Sequence, residues 1–138
     1  MNILKVFTPQ RKLGSFGERA AAKELKRLGY KILERNYAPE DGEIDIIAEK
    51  DGTTAFVEVK TRHRSDGTSQ LIEPRPASAV TPKKQSSIIT TARIFLATHR
   101  GTRARFDIVE VYVSGDAPRW RVAEIKHIVG AFGKKGYM

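Results

Sequence analysis

The order of hydrophobic periods along the chain predicts an α/β domain built on a mixed β-sheet flanked by helices. Three observations carry this prediction. Residues 13–33, LGSFGERAAAKELKRLGYKIL, place apolar residues at helical spacing up to a glycine. Alternating segments follow, two of them separated by an Asp51-Gly52 dipeptide. A second helical segment, TPKKQSSIITTARIFLATHR (81–100), then precedes two more alternating stretches. The expected order is α-β-β-β-loop-α-β-β.

Each element has a local cause. Ser15 is the expected N-cap of the first helix, with Glu18 three residues on completing a capping box. At 100° per residue Ala21, Ala22, Leu25 and Leu28 share one arc. Glu18 falls inside that arc, so it points toward the rest of the protein. YKILERNY, GEIDIIAEK and TTAFVEVKT read as strands, and Asp51-Gly52 as the tight turn between the last two. Residues 64–80 hold Gly, Ser and Pro without a period, which predicts a long loop. Thr81 caps the second helix, and Pro82 occupies the first helical position, where a missing N–H is harmless. Ile88, Ile89, Ala92, Phe95 and Leu96 form its apolar arc; Gln85 projects into the middle of that arc and Lys84 lies at its edge. His99 and Arg100 are expected to close this helix, where cations are favoured. ARFDIVEVYV alternates strongly, WRVAEIKHIV fits an edge strand, and 130–138 reads as a frayed basic tail. Trp120 and Tyr112 read as core or sheet-face aromatics rather than base-stacking platforms.

A chain of 138 residues accommodates one such domain, spanning 1–138. It contains no cysteine, which excludes disulfides, thiolate chemistry and cysteine-based zinc sites. No apolar run has the length of a secretory or bilayer-spanning segment, so a cytoplasmic protein without a membrane partner is expected. The balance of 25 Lys and Arg against 16 Asp and Glu gives a net charge of +9. That excess suits a polyanion better than a neutral metabolite, and nucleic acid is the expected partner.

The chemistry sits on two neighbouring strands. With side chains alternating, Asp45 shares a face with Glu43 and Ile47, whereas Ile44, Ile46 and Ala48 take the other. On the next strand Phe56, Glu58 and Lys60 share a face. Glu18, Asp45, Glu58 and Gln85 thus place polar groups on otherwise apolar faces, and each needs a partner or an ion. Phosphodiester hydrolysis uses such a set. Asp45 and Glu58 supply hard oxygen ligands for Mg²⁺ or Mn²⁺, and Glu18 adds a carboxylate directly or through water. Lys60 orients or deprotonates the attacking water, or stabilises the transition state. Gln85 is placed to hold the water or Lys60. Arg62, His63 and Arg64 follow directly, and with Arg75, Lys83 and Lys84 they are expected to contact phosphates.

GEIDIIAEKDGTTAFVEVKTR (42–62) resembles the signature of the PD-(D/E)xK nuclease superfamily, an Asp followed on the next strand by Glu-x-Lys. Ile44 stands where that signature often has proline. More narrowly, residues 14–37, 42–62 and 79–96 resemble the small uncharacterised bacterial YraN-like family, described as related to Holliday-junction resolvases. The resemblance implies a restriction-endonuclease-like core and Mg²⁺ as the usual cofactor. It implies catalytic roles for Asp45, Glu58 and Lys60, the first-helix acid for Glu18, and the polar position of the later helix for Gln85 or Lys84. Cleavage of DNA, branched or structured DNA included, and a two-fold dimer would follow by analogy. A nucleic-acid-binding module of the same fold without turnover is the alternative, and a basic scaffold protein is a third reading.

Overall fold

The computed structural model describes residues 9–64 and 80–133, with side chains from residue 12 onward. Its elements are α1 (Pro9–Arg27), β1 (Lys31–Tyr37), β2 (Ile44–Lys50), β3 (Thr53–His63), α2 (Pro82–Leu96), β4 (Arg103–Ser114) and β5 (Arg121–Phe132). The element order is the one the periodicity predicts. The five strands lie side by side in chain order. β1, β2 and β3 form an antiparallel meander, β3 and β4 run parallel, and β4 and β5 are antiparallel. The sheet is therefore mixed, with α2 as the crossover that parallel neighbours require.

Local residues explain the joints. Asp51 and Gly52 both adopt positive φ, at 52° and 75°. That is the conformation of a two-residue hairpin turn, and it pins Lys50 opposite Thr53. α1 ends where Gly29, at φ 98°, lets the Tyr30 N–H return to Leu25 O at 2.9 Å. α2 starts on Thr81, whose hydroxyl accepts from the Lys84 N–H at 3.1 Å.

The two helices cover opposite faces. Ala21, Ala22 and Leu25 of α1 pack on Ile46, Ala48, Ala55, Val57, Val109, Val111 and Val113. Ile88, Ile89 and Ala92 of α2 pack on Ile44, Ile47, Phe56, Phe106 and Ile108. Alternate residues of β3 and β4 thus fill two separate cores, as period-two side chains between two helical layers must.

Three expectations are corrected. α1 begins at Pro9, so Ser15 lies inside the helix and no capping box forms with Glu18. The glycine-serine stretch is helical because Gly17 lies against β3, where a side chain would run into Thr61. α2 ends at Leu96, so His99 and Arg100 lie beyond it, and His99 Nε2 instead approaches Glu49 Oε2 of β2 at 3.4 Å. β5 continues through Phe132, so the tail does not begin at 130. The Phe132 ring stacks on Phe106 at 5.4 Å, and the Gly130 N–H donates to Asp107, which holds this segment on the sheet. Of the loop expected at 64–80, residues 65–79 lie outside the described residues, as do 134–138.

Gly17→Ala is expected to destabilise the fold by about 1–2 kcal/mol despite alanine's better helix propensity, because α1 must lift from Thr61. A lowered urea midpoint with an unchanged slope would show it.

A buried ionic cluster fastens β4 to β5 on the α1 side. Asp107 is fully buried, yet both its oxygens are used. Arg105 donates Nε to Oδ1 and Nη2 to Oδ2, each at 2.9 Å, and His127 Nε2 stands 2.8 Å from Oδ2. Arg105 Nη2 also reaches the Tyr30 hydroxyl at 2.6 Å. Burial alone would raise the Asp107 pKa; the bonds from His127, Arg105 and the Gly130 N–H outweigh it and hold the carboxyl below its usual range. A depressed pKa gives stability that is present above the ordinary value and is lost as acid protonates the folded group. Asp107→Asn, which keeps the shape and loses the charge, is expected to lower stability by about 2 kcal/mol at pH 7. That difference should shrink as pH falls through the range in which the folded carboxyl takes up its proton, as a denaturation series against pH would reveal.

Candidate functional site

The candidate site forms where the β2–β3 ladder stops. Pairing runs from Lys50/Thr53 to Ile46/Val57 and goes no further. Ile44 leaves the face expected for it and packs with Ile47 on the α2 side. Gly42, just upstream, permits this path: a side chain there would run into Thr91 and Ser87 of α2. The parted strands leave the Val59 N–H without its ladder acceptor, and Asp45 Oδ2 takes that bond at 2.8 Å. A carboxylate at this point therefore replaces a backbone group and is fixed by it.

Glu58 lies beside it. Its side chain is buried, and its carboxyl and that of Asp45 come within hydrogen-bonding reach once one carries a proton. Burial first, and then the Asp45 charge, push the Glu58 pKa up to about 7; Lys84 and Lys60 pull in the opposite direction. Lys60 Nζ stands 3.9 Å from Glu58 Oε2, and Lys84 Nζ, from the first turn of α2, stands 4.0 Å from the same oxygen. Two acids and two ammonium groups thus meet in one partly enclosed place, brought together by β2, β3 and α2.

Glu18 of α1 flanks this group. Burial, followed by the charge of Asp45, raises its pKa, while Arg35, 4.0 Å away, lowers it. Glu18 therefore feels Asp45 electrostatically. Gln85 is half-buried, and its Nε2 donates to Val80 O at 2.9 Å, which steadies the chain where it enters α2. Among the described residues no group of three or more His, Cys, Asp or Glu is arranged to hold an ion. The carboxyls that the geometry brings together here are those of Asp45 and Glu58.

The expected phosphate-contacting residues separate into kinds. Lys83 and Lys84 are exposed at the start of α2. His63 Nε2 approaches Gly115 O at 2.7 Å. Arg64 is drawn inward: it bonds Glu124 Oε1 at 2.6 Å, and its guanidinium lies 4.7 Å from the Tyr112 ring centre. Arg62 pairs in register with Tyr112 of β4, and Arg75 lies outside the described residues.

Sequence reasoning missed Glu110. It is 1% exposed and sits in register with Lys60 across the parallel β3–β4 pair. Oε1 accepts the Tyr112 hydroxyl at 2.9 Å, whereas Oε2 is buried with no hydrogen-bond partner. The alternation in FDIVEVYV carried the signal, because it sets Glu110 and Tyr112 apart from the Val109 and Val111 face.

The comparisons give this geometry a family. A model described as an uncharacterised protein family, UPF0102, matches residues 17–111, more than half of the chain. The chain belongs to the UPF0102 family. A UPF0102 protein of Prosthecochloris aestuarii is 45% identical over 123 residues, covering 87% of this chain and 92% of the relative. One from Chloroflexus aurantiacus is 35% identical over 130 residues, covering 92% and 98%. A UPF0102 protein of Clostridium botulinum is 40% identical over 118 residues, covering 83% and 91%. Membership of a small uncharacterised bacterial family, expected from the motifs, is thereby met. The matched span contains Glu18, Asp45, Glu58, Lys60 and Glu110. No helix among the described residues is long and apolar enough to cross a membrane.

Proposed function

We propose that this protein is a metal-dependent endonuclease of the PD-(D/E)xK kind, hydrolysing DNA phosphodiester bonds with Asp45, Glu58 and Lys60. The observation that carries the reading is the carboxyl pair at the parted end of β2 and β3, with Lys60 alongside. Burial first, and then the neighbouring Asp45 charge, make a second carboxylate unfavourable here without a cation, and Glu58 accordingly holds a proton into the neutral range.

That donor set fits Mg²⁺ or Mn²⁺. Mg²⁺ is commonly held by one or two carboxylates, the rest of its shell being water and substrate phosphate. Asp45 and Glu58 would hold the ion, and Glu18 would reach it through water. When bound, such an ion lowers the pKa of a water and offsets charge on the phosphate oxygens. Lys60 and Lys84 then present ammonium groups from two sides to a phosphate next to Glu58. Lys60, on the rigid strand, is placed to align the attacking water or to stabilise the transition-state charge.

The test is a cleavage panel of single-stranded, duplex, flapped and four-way DNA, with RNA, under Mg²⁺, Mn²⁺ and chelator at fixed salt. Cleavage of at least one DNA that disappears with chelator supports the reading. Tight DNA binding without cleavage under any metal would replace it with a binding module of the same fold.

A further inference from the structure

A second feature lies on the other flank of α1. Lys12, Ser15, Phe16 and Arg19 line a cleft of about 570 Å³ whose far wall is Pro118 and Trp120, from the β4–β5 connection. At 100° per residue those four α1 positions share one side of the helix, roughly opposite Ala21 and Leu25. Phe16 lies at the margin of the apolar arc, half-buried against the α1-side core and lining the cleft as well. Its ring meets Trp120 at 5.8 Å between centroids and an interplanar angle of 60°. Trp120 itself is anchored against the α1-side core and stays half-buried. The tilted rings open into the cleft.

The charge of the lining narrows what the cleft can take. Among the described residues it includes Lys12 and Arg19 and no carboxylate. These cations stand seven positions apart, about 10 Å along the helix axis, one toward each end of the aromatic notch. Exposed Lys23 and Lys26 continue the basic flank along α1. An aromatic notch between cations, leading onto a basic track, is the chemistry that stacks an unpaired base and holds its flanking phosphates. α1 is common to both places, since it carries Glu18 as well as Phe16 and Arg19.

We propose that the Phe16–Trp120 cleft binds an unpaired nucleotide, so that the strand presented to the carboxyl pair is single-stranded or enters from a single-stranded branch. As a statement about substrate this rests on the nuclease reading. Trp120 packs on the α1-side core, as the sequence leads one to expect, and is also a wall of the cleft.

Trp120 is the sole tryptophan, so its emission reports the cleft directly. The full chain, in chelator to prevent cleavage, is titrated with a single-stranded oligothymidylate of about 12 nucleotides and with the matching duplex. The expected result is quenching by the single strand at roughly tenfold lower concentration than by duplex. Labelled-oligonucleotide anisotropy should show Phe16→Ala and Trp120→Ala weakening single-strand binding about tenfold, while Trp120→Phe retains it. Arg19→Ala, an exposed change harmless to the fold, should reduce the salt slope of single-strand binding by about 0.7. Equal quenching by duplex or by inorganic phosphate overturns the proposal, as does unchanged affinity in folded Phe16→Ala and Arg19→Ala. Metal-dependent cleavage without single-strand preference sinks this inference and leaves the nuclease reading standing. Trp120 quenching with no cleavage of any substrate does the reverse.

Discussion

Asp45→Asn and Lys60→Met are each expected to lower DNA cleavage by about 10²–10⁴-fold while leaving a folded protein. The choice of asparagine follows from the geometry. Asp45 Oδ2 accepts the Val59 N–H where the β2–β3 ladder has ended, and an asparagine oxygen can still accept it. Alanine would strand that N–H in a half-buried place, mixing a structural loss of about 1–3 kcal/mol with any chemical one. Asp45→Asn instead removes the charge that a cation needs and keeps the backbone in position. Lys60→Met preserves the aliphatic stem and deletes the ammonium 3.9 Å from Glu58. Lys84 offers a control. Its ammonium is as near to Glu58, at 4.0 Å, but its side chain is more exposed, 45% against 28% for Lys60. Solvent screens it more, so Lys84→Met is expected to cost only about tenfold. Circular dichroism establishes the fold of each variant, and single-turnover rates with Mg²⁺ separate chemistry from binding. Unchanged rates in Asp45→Asn and Lys60→Met would sink the assignment of these residues. Equal losses at Lys60 and Lys84 would instead mean that total positive charge matters more than position.

The strands and helices were legible because their periods were clean. Valines and isoleucines at spacing two marked β2 to β4, and Asp51-Gly52 fixed the register that sets Ile46 opposite Val57. Asp45 and Glu58 could be paired from sequence for the same reason. What alternation could not foresee was the parting of the strands: Ile44 changes face because Gly42 lets the chain press against Thr91. The start of α1 was misread because Gly14 and Ser15 resemble a cap, whereas close packing on Thr61 requires Gly17 to be bare. Gln85 is half-buried, and its amide bonds to Val80 O at the start of α2, a partner that no helical wheel reports. Glu110 and the Trp120 cleft went unseen because both depend on neighbours distant in sequence. Lys60 faces Glu110 only through the parallel pairing that α2 allows. Phe16 meets Trp120 only because β5 returns beside β4.

Glu58→Gln is expected to stabilise the metal-free protein at pH 8 and to change little at pH 5. Glu58 is 7% exposed, and burial together with the neighbouring Asp45 charge pushes its pKa up to about 7, against 4.5 for an ordinary glutamate. The folded state therefore binds this proton more tightly than the unfolded chain does. Its favourable contribution is complete below about pH 4.5 and is lost as pH rises through about 7, where the carboxylate ionises beside Asp45. Above that pH the folded protein carries a penalty of about 3 kcal/mol, which a neutral glutamine of the same shape removes. That figure is already net of Lys60 and Lys84, which stand 3.9 and 4.0 Å away and offset part of the charge. A divalent ion held by the two acids would relieve the same repulsion. Mg²⁺ should accordingly raise the melting temperature of the unmutated protein at pH 8, hardly at all at pH 5, and not in Glu58→Gln. The variant would then be the more stable protein and the inactive one, the pattern of a site held at the expense of the fold. A Glu58→Gln protein less stable than the parent at pH 8 would mean that Glu58 acts as a structural counter-charge for Lys60 and Lys84. The metal-binding assignment would fall with that result.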